Sequence, residues 1–162
     1  RLQTKGMVRV ENRTYEVSGL SWLDREWSTS ALSGDQAGWD WFALQLDDGS
    51  EIMYYQMRTK DGRADRYSKG TVVEQDGGYS KIGKDDVNLE VLGTWQSPAG
   101  TVYPSGWRLQ IPDRYIDLEI VPVIEDQLLD VTVRYWEGSV RISGKNGDAS
   151  VAGRGYVELT GY

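Results

Sequence analysis

Apolar and polar residues alternate with a period of two along most of the chain. Val8 and Val10 share one side, as do Tyr15 and Val17, Leu89 and Val91, Leu109 and Ile111, and the trio Ile116, Leu118 and Ile120. Alternation of this kind sends successive side chains to opposite faces of a pleated strand, one face toward a core. Helical periodicity is almost missing. Asp48-Gly49, Asp61-Gly62, Asp76-Gly77-Gly78 and Asn146-Gly147 supply the positive φ angles that tight hairpins need. The pattern predicts an all-β, antiparallel domain of about ten strands, either a barrel or a sandwich.

The clearest hairpin joins Trp39–Leu46 to Glu51–Met57 across Asp47–Ser50. Phe42, Leu44 and Leu46 fall on one face of its first strand, and Trp39, Trp41 and Ala43 on the other. Both faces therefore need at least partial cover, as in a barrel with a packed exterior or the middle of a sandwich. In "VTVRYWEGSVRIS" the apolar phase runs through Val131, Val133 and Tyr135, then shifts to Val140 and Ile142. A bulge near Trp136 to Gly138 would account for the shift. Residues 28–38 and 96–106 read as long loops, the second stiffened by Pro98 and Pro104. Gly153 and Gly155 mark close backbone approach or sharp strand coiling rather than a phosphate loop.

Length and composition narrow the chemistry. At 162 residues the chain fits one domain, residues 1–162. Its 18 basic and 25 acidic side chains leave a net charge of −7, a field that repels nucleic acid and anionic lipid. No apolar run is long enough for a transmembrane segment, and the first residues lack a signal-peptide pattern, so the chain is either cytosolic or a mature or excised piece. Cysteine and histidine are both absent. Thiolate chemistry and His-dependent nucleophile systems are thereby excluded, leaving carboxylates, Tyr, Lys, Arg and water. The acidic residues leave an oxygen-only calcium site open, but no D-x-[DN]-x-[DN]-G loop and no phosphate or cofactor loop appears. Seven Trp and ten Tyr stand against a single Phe, a balance that suits rings with one polar end in a half-wet pocket.

Acids recur beside those rings. On a strand through Ser21 to Trp27, Trp22, Asp24 and Glu26 would point one way and Leu23, Arg25 and Trp27 the other. Facing inward, Asp24 and Glu26 would be desolvated beside a ring, their pKa raised toward general-acid use. Alternatively they pair with Arg25, Arg58 or lysines. Trp39-Asp40-Trp41 and Trp136-Glu137 repeat the theme, and together these groups outline an aromatic, acidic pocket. Paired carboxylates beside sugar-stacking tryptophans would also suit a carbohydrate-binding sandwich or a glycoside hydrolase.

The blocks "VSGLSWLDREWSTSAL", "GWDWFALQLDDGSEIMYYQMR", "DQLLDVTVRYWEGSVRISG" and "GRGYVELTGY" occur in order and span most of the chain. They resemble the family that contains carotenoid hydratases of the hydroxyneurosporene synthase type and AttH-like predicted secreted hydrolases. The resemblance implies a lipocalin-like antiparallel β-barrel of about 8–10 strands. It also implies that this is the second of two such barrels, since the E-W-W-Y segment of the family's first half is missing here. A periplasmic, secreted or cell-envelope location would follow. So would a small hydrophobic, isoprenoid- or lipid-like ligand, with the first barrel as partner and no cofactor. Asp24, in the family's W-x-D block, becomes the catalytic acid, with Glu26 beside it. Trp22, Trp39, Trp41, Tyr55 and Trp136 become ligand-binding walls, and Arg25, Asp40 and Glu137 orienting or pairing groups. Arg25 stands where many relatives carry histidine, and an arginine there can hold Asp24 ionised. A non-catalytic half using the block as an inter-strand clamp is the alternative.

Overall fold

The computed structural model describes residues 1–25, 32–131 and 134–162. Fourteen strands are present among them, with a single 3₁₀ turn, Pro112–Arg114, as the one helical element. The chain divides into two units, Arg1–Ala31 and Leu32–Tyr162. In the first, β1 (Leu2–Val10) pairs antiparallel with β2 (Arg13–Ser21) as a sheet of two strands.

The second unit contains β3 (Gln36–Leu46), β4 (Glu51–Thr59), β5 (Lys69–Val73), β6 (Tyr79–Gly83), β7 (Asn88–Val91), β8 (Thr94–Gln96) and β9 (Val102–Pro104). It continues with β10 (Trp107–Ile111), β11 (Ile116–Pro122), β12 (Leu128–Asp130), β13 (Arg134–Asn146) and β14 (Ala149–Leu159). Strands β8 and β9 form a small hairpin of their own, and the other ten make one sheet in the order β6-β5-β4-β3-β14-β13-β11-β10-β7, with β12 also paired to β13. The sandwich alternative fails because this sheet is continuous.

Curvature follows from topology. The sheet's two ends, β6 and β7, are consecutive in sequence, joined only by Lys84–Val87. That link reaches at most about 17 Å, whereas a flat sheet of this width would hold its edges about 38 Å apart. The sheet must curl into the lipocalin-like form, although no ladder joins β6 to β7. Arg114 holds the two edges together from the turn after β10. Its guanidinium donates to Glu74 Oε1 at 3.0 Å, just after β5, and to Ser80 Oγ in β6.

Curling gives the sheet one inside, and a single apolar cluster fills it. Phe42, Leu44, Ile52, Trp107, Leu109, Leu118, Ile120, Trp136 and Val157 converge there from six strands. The ladder of β13 on β14 runs without interruption from Trp136↔Leu159 to Asn146↔Ala149. The bulge expected near Trp136 to Gly138 is therefore absent: Trp136, Gly138, Val140 and Ile142 share the buried face throughout, and Tyr135 belongs to the other. The irregularity lies instead between Gln36 and Gly38, opposite the end of β4.

The close approach expected at the two glycines of β14 is borne out. A Cβ on Gly155 would lie 2.5 Å from the carbonyl oxygen of Ala43, and one on Gly153 would collide with that of Gln45. Gly155→Val is expected to cost about 1–3 kcal/mol, as overpacking does, read as a lower urea midpoint at unchanged slope.

Candidate functional site

Strand β3 directs Gln36, Gly38, Asp40, Phe42, Leu44 and Leu46 inward. Asp40 is thus an acid in phase with apolar positions, 2% exposed. Its partner comes from the next strand, where Arg58 sits opposite Gly38, diagonal to Asp40. Arg58 Nε donates to Asp40 Oδ1 at 3.0 Å, and its Nη2 donates to the carbonyl of Thr160. The Tyr162 hydroxyl reaches the same carboxylate, at 2.8 Å from Oδ1 and 3.1 Å from Oδ2. The Arg58 guanidinium lies over the Tyr162 ring, 3.8 Å from its centre. Tyr103 packs against that ring at 5.6 Å and meets Trp95 at 6.0 Å, which brings the β8–β9 hairpin to the cluster.

The electrostatics are those of a clamp. Burial raises the proton affinity of Asp40, while the Arg58 charge and the bonds from Tyr162 and Arg58 pull the other way. The Tyr162 phenol is pushed far above its ordinary value, first by burial and then by the Asp40 charge. The Asp40 carboxylate, the Arg58 guanidinium and the Tyr162 hydroxyl are thus committed to one another.

Beneath this cluster the interior is aromatic and filled. Trp107 meets Phe42 edge to face at 5.6 Å and Trp136 at 6.0 Å. Trp136 Nε1 donates to the Glu125 carbonyl at 2.7 Å, and the Gln127 side chain lies over Gly138 and accepts the Ser139 N–H at 2.8 Å. The 124–127 loop is thereby stitched onto β13. Phe42, Tyr54, Trp107 and Trp136 have no accessible surface, so they border no space wide enough for water. Tyr54 Oη, Tyr103 Oη and Trp107 Nε1 are buried with no hydrogen-bond partner among the described residues. The Tyr54 phenol is pushed up to about 12 by burial and by the charges of Asp85 and Asp86.

The pocket outlined by the sequence divides across the sheet. Asp40 and Trp136 lie inside, whereas Trp39, Trp41, Tyr55 and Glu137 are half-buried on the outer face. There Trp39 Nε1 donates to Glu158 at 2.9 Å, Trp41 stands opposite Tyr55 and Glu158 in its two ladders, and Glu137 stands opposite Glu158. The strand expected through Ser21 to Trp27 ends at Ser21. Trp22 beyond it is half-buried, and Asp24 and Arg25 are exposed, the Asp24 carboxylate accepting the Arg25 backbone N–H at 3.0 Å. Glu26 lies outside the described residues. Arg58 serves Asp40 rather than Asp24. Tyr162, Tyr103 and Trp107 were not singled out from the sequence, although the inward phase of Asp40 with Phe42 signals a buried acid that needs a cation.

Comparison with known proteins adds the wider frame. A family described as AttH-like matches residues 1–162. The crystal structure of a Nitrosomonas europaea protein assigned as an AttH is 36% identical, with a TM-score of 0.87 over 99% of this chain and 49% of that one. Kievitone hydratase from Nectria haematococca shares the fold at 21% identity, with a TM-score of 0.77 over 96% of this chain and 49% of its own. The chain thus spans about half the length of either structure. No curated protein sequence matches it.

The clamp makes a two-part prediction. Asp40→Ala strands the Arg58 charge in a largely buried position and should cost about 3–5 kcal/mol in urea denaturation. A folded-state pKa above the unfolded one means that Asp40 favours folding most at low pH. Its contribution is lost as pH rises from the ordinary carboxylate value through the raised one. Asp40→Asn, which strands the same Arg58 charge, should also lower stability and should abolish that slope.

Proposed function

The chain belongs to the AttH-like family, and from that premise we propose that it is one lipocalin-like half of a hydratase-like protein acting on a small hydrophobic, isoprenoid- or lipid-like molecule. The observation that carries the reading is the division of labour between two acids. Asp40 is locked to Arg58 and Tyr162 in a filled interior, while Asp24 stands exposed in the block that resembles the family's W-x-D segment. A ligand therefore meets this half outside its core: Trp22 is half-buried near Asp24 in the first unit, and Trp39, Trp41 and Tyr55 are half-buried on the outer face of the second.

In this reading Asp24 is the general acid, and the other half and the ligand cover it when the site is assembled. The carboxyl group protonates an alkene carbon, the alkene π pair forming the new C–H bond. Aromatic faces hold the resulting tertiary cation, each worth about 2 kcal/mol when desolvated. Water then attacks, and its surplus proton returns to the carboxylate. No cofactor enters the sequence. We place the protein in the periplasm or cell envelope on the same resemblance. The structural-half reading rests on one contact, the Arg25 N–H held by the Asp24 carboxylate.

Two measurements on the full-length protein separate these readings. Retinol or a long-chain fatty acid should quench tryptophan fluorescence, and Trp41→Ala should weaken that binding about tenfold, while oligosaccharides have no effect. Absence of quenching by any apolar ligand would sink the binding proposal. Asp24→Asn should abolish hydration of an isoprenoid alkene with the melting temperature nearly unchanged; a large loss of stability with turnover retained would identify the clamp.

A further inference from the structure

The β1–β2 hairpin has two unlike faces. Its register puts Leu2, Thr4, Gly6, Val8 and Val10 on one side with Arg13, Tyr15, Val17 and Gly19. Gln3, Lys5, Met7, Arg9, Thr14, Glu16, Ser18 and Leu20 occupy the other. The first face is apolar from Gly6 to Val10 and from Tyr15 to Gly19, bounded by Arg13 at the turn and by the hydrogen-bonded Thr4 and Ser21 hydroxyls at the open end, and the second carries the charges. Yet Val8, Val10, Tyr15 and Val17 are 47%, 56%, 47% and 40% exposed. A hairpin of two strands with such a face is marginal in water by itself.

The glycines sharpen the point. Gly6 and Gly19 lie in strand interiors, where glycine costs stability and usually marks close approach by another chain segment. Neither has positive φ, and a Cβ on either would meet nothing within 4 Å. Their own unit supplies no reason for them. Both fall on the apolar face, opposite Val17 and Thr4, where they leave two notches between larger side chains.

We propose that the apolar face carrying Gly6, Val8, Val10, Tyr15, Val17 and Gly19 is a docking surface for the other half of the longer AttH-like protein. The inference rests on the reading of this chain as one half. The Nitrosomonas europaea structure supports that choice of occupant: it matches 99% of this chain, hairpin included, and is about twice as long. The docked surface must be apolar, with a ridge or backbone edge entering the two notches.

Hydrogen exchange on β1 and β2 tests this without reference to activity, so its failure is separable from failure of the hydratase reading. Strand amides should be protected at least about tenfold more in the full-length protein than in residues 1–162 alone. Gly6→Val should remove that protection in the full-length protein, yet leave the melting temperature of residues 1–162 unchanged or slightly higher, since valine favours strands. Fast exchange in the full-length protein would overturn the proposal. So would equal protection in residues 1–162, whether as a monomer or as a dimer seen by light scattering. A Gly6→Val variant that keeps full protection would overturn the assignment of the face.

Discussion

The constraint on which the second unit depends is the four-residue connection Lys84–Val87. Placing the sheet's last two strands in sequence at its opposite edges leaves no planar arrangement available. The sheet curls, and every inward position then shares a single interior. The Arg114 contacts to Glu74 and Ser80 act on that curled form, tying the turn after β10 to the β5–β6 edge. Because these groups are partly exposed, the tie matters more for fixing the register of the edges than for raw stability.

A sheet curled this far can hold a ligand or be filled, and the choice lies in its side chains. Here large rings from β3, β10 and β13 meet at the centre, and the remaining space is taken by branched aliphatic residues. The polar cluster of Asp40, Arg58, Tyr162 and Thr160 closes the filling beside the β8–β9 hairpin. A buried ion pair of this sort is costly to break and contributes little net stability when intact. Its value is specificity, since it anchors β3, β4 and the residues after β14 in one mutual arrangement.

How far the sequence revealed this varied with the distance over which the signal acts. Strand type and hairpin turns were legible because period-two alternation and Asp-Gly or Asn-Gly pairs act between near neighbours. The close approach at Gly153 and Gly155 was legible for the same reason. The apparent bulge was not: Tyr135 reads as inward because Gly138, which holds the inward phase, has no side chain. Glycine carries no hydrophobic mark, and so it hides the face it occupies. The Asp40 clamp was half legible. The acid sits in the apolar phase of β3, but its partners lie 18 and 122 residues away, brought near by register and by the path of the chain after β14.

The two acids that resemble each other in sequence differ because their backbones do. Asp24 and Asp40 both follow a tryptophan within two residues, and side-chain pattern alone treats them alike. Asp40 belongs to a strand paired on both sides, so its direction is fixed by the ladders with β4 and β14, and it must either find a cation or lose its charge. Asp24 lies past the end of β2, where no ladder fixes its direction and water solvates it. An acid of the first kind is tuned once, by folding. An acid of the second kind takes its surroundings from whatever chain or solvent lies beside it.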